Sequence, residues 1–426
     1  VQLARPFEAA GILDKAAEYR LHAGIRASLL SANEEAVAHF NQGLALLETL
    51  PDSPERAGRE LTLLQALAGV LEGTRASTDP QLVHVYARIQ ELCEQMAGVP
   101  LLLLNGALWV LNVFYLSRAE YEKALEMGKQ ILALAPRVED PLFIATAHVS
   151  LGWVLPYLGE FAAARDHLEH MIDFRNRQRQ RSLWFIDWQN LVNALAYTSW
   201  VLWFLGYPDQ AAERSLAAIA LARELNHAYI LALALSIAGA PFHLFRREGQ
   251  AAQEHVEALM RPFPGPGLTV YQAEGTCYRG WQQIMVGQVA EGIAQLRQGL
   301  TAMQVMATVP HRTSFLAALA EGYAKAGQSE QGLGALAEAF SLVARTGERY
   351  YEAELQRLKG ELLLMQGDET EAEACFHKAI EIARSQQARS WELRVTMSLS
   401  RLWQKQGKRE EARQLLAEIY GWFTEG

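Results

Sequence analysis

Cysteine is scarce in this chain and nowhere spaced as a pair. Cys93, Cys277 and Cys375 stand far apart with no CxxC spacing. That excludes a disulfide framework and fits reduced thiols packed as small hydrophobes in a cytoplasmic protein. An excess of positive charge is also missing. The 39 Lys and Arg against 48 Asp and Glu give a net charge of −9, which disfavours non-specific binding to nucleic acid. The apolar runs, such as Ile230–Ala240, are too short to cross a bilayer. With no signal peptide to be found, no membrane association is expected.

The short motifs of the common enzymes are absent as well. There is no GxxxxGK(S/T) phosphate loop, no GxGxxG after a strand, no HExxH and no GxSxG. His167 and His170 lie three apart on one helix, but without a third candidate ligand they read as paired surface histidines. The acidic residues are scattered at helix-surface spacing, usually beside Lys or Arg, and read as solvated faces. No catalytic residue, metal or cofactor is expected.

What the sequence does have is a repeat. Its clearest copy runs from Gly360 to Ala379: a small residue at Gly360, glycine seven later at Gly367, then Ala372, the bulky Phe376 and the small Ala379. The same beat falls at Gly287, Gly327 and Gly407, with Arg247 as the weakest copy, all at steps of 40. Earlier copies fall at Ala119, Gly159 and Gly206. Such a fixed period is the signature of a solenoid. Glycine, lacking Cβ, takes the left-handed conformation that ends one helix before the next begins. The small residue before the turn and the alanine after it let two antiparallel helices approach, and the bulky residue plugs the space between them. Each hairpin leaves an apolar face that only a neighbouring hairpin covers, so the units must stack.

This pattern resembles the tetratricopeptide repeat position by position, at a period of 40 rather than 34. It predicts an all-α, right-handed superhelical solenoid of about ten antiparallel hairpins. Read as one array over 1–426, it has irregular repeats over 1–100, regular repeats over 100–261, a Pro/Gly linker at 262–267 and regular repeats over 268–426. The first pairs are expected to turn at Ser31–Asn33 and around Gly73–Pro80. The step from Gly159 to Gly206 carries about seven extra residues, most simply placed as a loop over Arg175–Ser182.

In that family the first helix of each hairpin lines a concave groove, and the position six before the turn points into it. Carried over, the resemblance puts Val113, Trp153, Trp200, Pro241, Trp281, Glu321, Glu361 and Arg401 in the groove. The position two before the turn adds Tyr157, Phe204, Phe245, Met285, Lys325, Met365 and Lys405, and Trp109 and Trp203 fall nearby. The groove is thus aromatic in its middle repeats and charged in its last three. Aromatic walls suit a peptide, a helix or a sugar-like ligand. If the rings instead fill the spaces between repeats, or the bore of a tight superhelix, they are packing and not a site. Arg175, Arg177, Arg179 and Arg181, just before Trp184 and Trp188, could meet an anionic part of a ligand at the groove's rim, or form a solvated loop.

Taken whole, the chain resembles the C-terminal helical-repeat region of large bacterial signalling ATPases, in which a cyclase or DNA-binding domain precedes an AAA/STAND-type ATPase. The most specific segments are Arg357–Leu364, Glu371–Phe376, Ser398–Trp403 and Tyr420–Gly426, with Glu8–Gly11, Lys15–Tyr19 and Ala32–His39 near the start. Starting at Val1 without a methionine, the chain is expected to be a piece of something larger. The resemblance implies a non-catalytic sensor or protein-interaction module, its partners a peptide, protein or small ligand and the upstream ATPase/cyclase domains. Self-association is a second expectation. An α/α-toroid acting on sugars is a third, disfavoured because a toroid needs paired carboxylates at its mouth and closure of its first helix on its last, and the open 40-residue register argues against both.

Overall fold

The structure is a computed structural model. It describes residues 4–30, 32–74, 79–95, 100–138, 141–177, 185–261, 269–306 and 310–426. Ser31, the Pro262–Gly267 linker, Arg179, Arg181 and Trp184 lie outside these. Among the described residues the elements are all helical, from Ala4–Ala9 to Arg409–Tyr420.

The repeat beat is a backbone conformation. All eight turn positions, Ala119, Gly159, Gly206, Arg247, Gly287, Gly327, Gly367 and Gly407, have positive φ, between 55° and 92°. Across each turn the following amide reaches back to the carbonyl five residues earlier, as Asp368 N does to Leu363 O at 3.0 Å and Glu248 N to His243 O at 2.8 Å. This satisfies a carbonyl that the helix end would otherwise orphan. Arg247 and Ala119 hold the same geometry without glycine.

The side-chain logic of the beat is equally direct. A Cβ on Gly360 would stand 2.6 Å from the Phe376 ring, and Gly24 makes the same close approach to Phe40 in the first hairpin. Where the small position is polar it bonds across the hairpin: Asn112 Nδ2 donates to Ala124 O at 2.7 Å and Ser400 Oγ to Ala412 O at 3.2 Å.

The sequence reading treats 1–426 as one array, whereas the contacts divide the chain into two compact units. The first holds Val1–Ala147 with Pro264–Thr269 and Met306–Thr308. In it the hairpins Leu13–Leu29/Asn33–Glu48, Pro54–Thr74/Pro80–Gln95 and Leu101–Ser117/Tyr121–Leu134 stack in order. Leu108, Ile131, Phe143 and Ala147 form a core cluster, with Trp109 half-buried against it.

The second unit holds His148–Phe263, Val270–Val305 and Val309–Gly426. Of the loop expected over Arg175–Ser182, Arg175–Arg177 are helical and the rest lies outside the described residues. The helix Phe161–Arg177 carries Arg175 and Arg177 in its last turn, and the following helix lengthens to Phe185–Leu205.

One helix of this unit is built around a proline. Ala228–Ala234 and Ala240–Phe245 are joined by a π-helical stretch, Leu235–Gly239, just before Pro241. Pro241 has no N–H to give to the turn before it. Three carbonyls there are taken up by side chains: Ile237 O by Trp200 Nε1, Ala238 O by Ser215 Oγ at 2.7 Å and Ser236 O by the Tyr278 hydroxyl at 3.0 Å. Among the described residues, Ala228–Phe245 is also the one helix long and apolar enough to cross a membrane, longer than the apolar run Ile230–Ala240 itself. Most of it is buried in the core of this unit.

Candidate functional site

Hairpin tips early in the second unit are bonded by residues far later in the chain. Arg349 N donates to Tyr157 O at 2.6 Å, Ser390 Oγ to Trp203 O at 2.5 Å and Arg394 Nη2 to Phe245 O at 2.5 Å. The helix Arg389–Lys405 thereby packs on Phe185–Leu205. The closure of late helix on early helix, not expected from the repeat register, is present.

Closure decides the fate of the aromatic residues. Trp153, Tyr157, Trp200, Trp203, Phe204, Phe245 and Trp281 are each 5% exposed or less. They do not form the wall of an open groove, although Trp203 and Phe245 also reach the cavity described below. Trp200 stacks on Tyr350 with centroids 5.8 Å apart, Phe245 meets Trp281 at 5.9 Å, and Trp203 and Phe204 meet Trp391 at 5.0 and 5.6 Å. The physical reason is curvature: the hairpins turn tightly enough that their inward rings meet and fill the bore. Trp109 belongs to the first unit. Arg175 covers the face of Trp188 at 4.6 Å, and Arg177 pairs with Asp173 at 3.6 Å. Neither lines the cavity described next.

Beside the filled bore lies a cavity of about 730 Å³ in the second unit. Its walls carry Arg246, Arg247, Arg357, Arg394 and Arg401 against Glu248 and Glu425, with apolar surface from Leu393, Met397 and Phe423. Behind it sits Glu354, 2% exposed. This one carboxylate serves three guanidiniums: Arg357 at 2.7 Å, Arg394 at 3.5 Å and Arg247 at 3.5 Å. Burial alone would raise the Glu354 carboxyl, but Arg357, then Arg394 and Arg247, overrule it and hold it at about 2. Arg247 also reaches Glu321 at 2.6 Å, and Arg357 reaches Glu361 at 3.2 Å.

Arg394 is the least compensated of the set. Burial pulls its guanidinium down to about 10, against the pull of Glu354. It lies between two ring faces, 5.4 Å from Trp203 and 4.8 Å from Trp391, and opens onto the cavity. A cation held by ring faces and a shared carboxylate keeps attraction for a further anion. Arg401 stands exposed on the cavity wall.

The sequence register had placed Glu321, Glu361 and Arg401 on the inward face; the structure brings Glu321 and Glu361 into this network and Arg401 to the cavity wall. It missed Glu354, Arg357 and Arg394, which lie one to two turns earlier on the same helices. Arg247 carried a signal that was available: it is the one arginine at a turn position that favours glycine, and its side chain is what Glu321 and Glu354 engage.

The second unit also assembles three histidines. His148 Nδ1 lies 2.7 Å from His167 Nδ1, and the His148 ring stacks on His170 at 3.8 Å. Sequence spacing gave His167 and His170 but not His148, which comes from the facing helix. Among the described residues no group of metal-ligating side chains is arranged to hold an ion.

No family model matches the sequence. The chain is 23% identical over 411 residues to uncharacterized protein R02095 of Rhizobium meliloti (strain 1021), a match covering 94% of this chain and 39% of that protein. The chain thus spans about two-fifths of this relative's length. Among solved structures it is similar to a Rap protein complexed with competence and sporulation factor, at 13% identity and a TM-score of 0.47, covering 96% of this chain and 98% of that one. It is also similar to the apo form of the quorum sensor NprR from B. thuringiensis, at 12% identity and a TM-score of 0.49, covering 80% and 93%. A tetratricopeptide repeat protein from Parabacteroides merdae ATCC 43184 is similar at 14% identity and a TM-score of 0.38, covering 66% and 97%.

Proposed function

We propose that this chain is a non-catalytic interaction module of a larger bacterial signalling protein, and that its second unit docks an acidic segment of a protein partner in the arginine-lined cavity. The observation that carries the reading is the sharing of one buried carboxylate, Glu354, by Arg247, Arg357 and Arg394 at the wall of a cavity that also presents Arg401. Local positive charge in a concave, partly dry setting attracts carboxylates even on a chain of net charge −9. The apolar surface of Leu393 and Met397 suits a segment in which acidic and aliphatic residues alternate. The cavity takes over the role first expected of the aromatic groove. The Glu354 and Glu321 carboxylates of the adjoining network are held below the usual carboxylate range by the guanidiniums beside them, which supports docking rather than acid/base catalysis. The much longer relative supports a place within a multidomain chain, with ATPase or cyclase domains as the activity such a module serves. The reduced-thiol pattern supports the cytoplasm as its setting.

A short capped peptide of alternating Glu and Leu, compared with its Gln/Leu counterpart, tests the reading by fluorescence polarisation. The acidic peptide is expected to bind, and Arg394→Gln and Arg401→Gln each to weaken it about tenfold, close to 1.4 kcal/mol. Equal binding of the two peptides, or of all variants, sinks it. The purified chain is expected to hydrolyse neither ATP nor GTP and to form no cyclic nucleotide. Turnover that persists through purification would overturn the non-catalytic reading.

A further inference from the structure

The segment after the last helix, Arg409–Tyr420, crosses the second unit and is anchored at two points. At the first, Trp422 occupies a notch made by Gly206, Tyr207 and Arg389. A Cβ on Gly206 would stand 2.5 Å from the Trp422 ring, so only glycine leaves this room. Tyr207 meets the same ring at 5.4 Å and the Arg389 guanidinium covers it at 5.5 Å. At the second, the Glu425 carboxylate sits on the first free amides of the helix Pro208–Glu224. Oε1 accepts from Asp209 N at 3.1 Å and Gln210 N at 3.3 Å, and Oε2 from Gln210 Nε2 at 3.1 Å. Pro208 has no N–H, so the helix offers these two amides first, at the positive end of its dipole.

Two features built for different chemistry, a ring-shaped notch and a carboxylate seat, therefore stand a fixed distance apart. We propose that together they form a recognition site for a short peptide segment bearing an aromatic residue followed three positions later by a carboxylate. In this structure the chain fills the site with its own Trp422 and Glu425. Phe423, Thr424 and Glu425 also wall the arginine-lined cavity, so a partner segment of the same chemistry releases this strap and opens the cavity. The opening rests on the docking reading of the cavity; the recognition site itself does not.

Trp422 is half-buried and Glu425 partly exposed, so Trp422→Ala and Glu425→Gln leave the helical core untouched. The probe is a capped, fluorescein-labelled peptide with the sequence Tyr420–Gly426, and a second peptide with Gln in place of its Glu. The labelled peptide is expected to bind both variants at least tenfold more tightly than the unaltered protein. The Gln peptide is expected to bind at least tenfold more weakly, and Arg389→Ala in the Trp422→Ala background to bring the labelled peptide down by a similar factor. Equal affinity for unaltered and variant proteins, or no binding to any of them, overturns the proposal. The alternating Glu/Leu peptide reads the cavity separately. Its failure beside successful strap-peptide binding removes the docking reading and leaves the recognition site standing.

Discussion

Trp200 and Tyr350 lie ring on ring, 5.8 Å between centroids and 15° between planes. They come from hairpins well separated in sequence, and each is about 1% exposed. Around them Tyr157 bonds His311 Nε2 at 2.9 Å through its hydroxyl, and Trp391 Nε1 donates to Tyr350 O at 3.0 Å. The bore of the second unit is thus a packed core with buried polar ties within it. In a groove, by contrast, loss of Trp200 or Trp281 would cost under about 1.5 kcal/mol, as is usual for exposed positions.

Trp200→Ala removes a buried ring and leaves the Ile237 carbonyl without its donor. The expected loss is about 3–5 kcal/mol in denaturant unfolding. A loss below about 1.5 kcal/mol would mean that the bore collapses around the gap or is not packed as described.

Gly367 has φ of +84°, and a Cβ placed on it meets nothing within 4 Å. Gly367→Val therefore tests backbone strain without steric clash, with an expected cost of about 1–3 kcal/mol. Because each hairpin leans on its neighbours, amide exchange should rise first in Glu352–Met365 and Glu369–Ser385. A uniform rise along the chain would contradict this.

Glu354→Gln leaves Arg247, Arg357 and Arg394 facing one another without their shared anion. Breaking such a buried pair is expected to cost about 3–5 kcal/mol. The native carboxyl stands at about 2 against an ordinary 4.5, so its stabilisation is complete above pH 4.5 and is lost as pH falls toward 2. Acid unfolding of Glu354→Gln should show less of that slope than the unaltered protein. An identical acid profile would show that the carboxylate is not held this way.

His148 is depressed to about 4 by burial first and then by His170 and His167. Its unfolded form takes up a proton below about 6.5, whereas the native ring does not until about 4, so stability falls as pH drops through that window. The short contact with His167 agrees, since two protonated rings would both be donors. His148→Asn is expected to flatten the slope of unfolding free energy between pH 6.5 and 4. An unchanged slope would locate the proton uptake elsewhere.

The sequence by itself determined the hairpins. The small residue, the turn and the plug lie within about twenty residues of one another, and their requirements (positive φ, a missing Cβ, a ring to fill the space) are local, so one copy of the beat suffices to read them. That is why Arg247 and Ala119 were recognised as turns without glycine. The same register put Glu321, Glu361 and Arg401 on the inward face, because facing inward is also set within one hairpin. Only the tertiary structure decided what the inward face meets. Whether Trp200 looks into solvent or onto Tyr350 depends on small rotations between successive hairpins, summed over several repeats until Arg394 reaches the Phe245 carbonyl. No window of sequence holds that sum. The partition into two units, the meeting of His148 with His167 and the seating of Trp422 against Gly206 also join residues from different helices or distant repeats, whose spacing in the chain carries no period to be read.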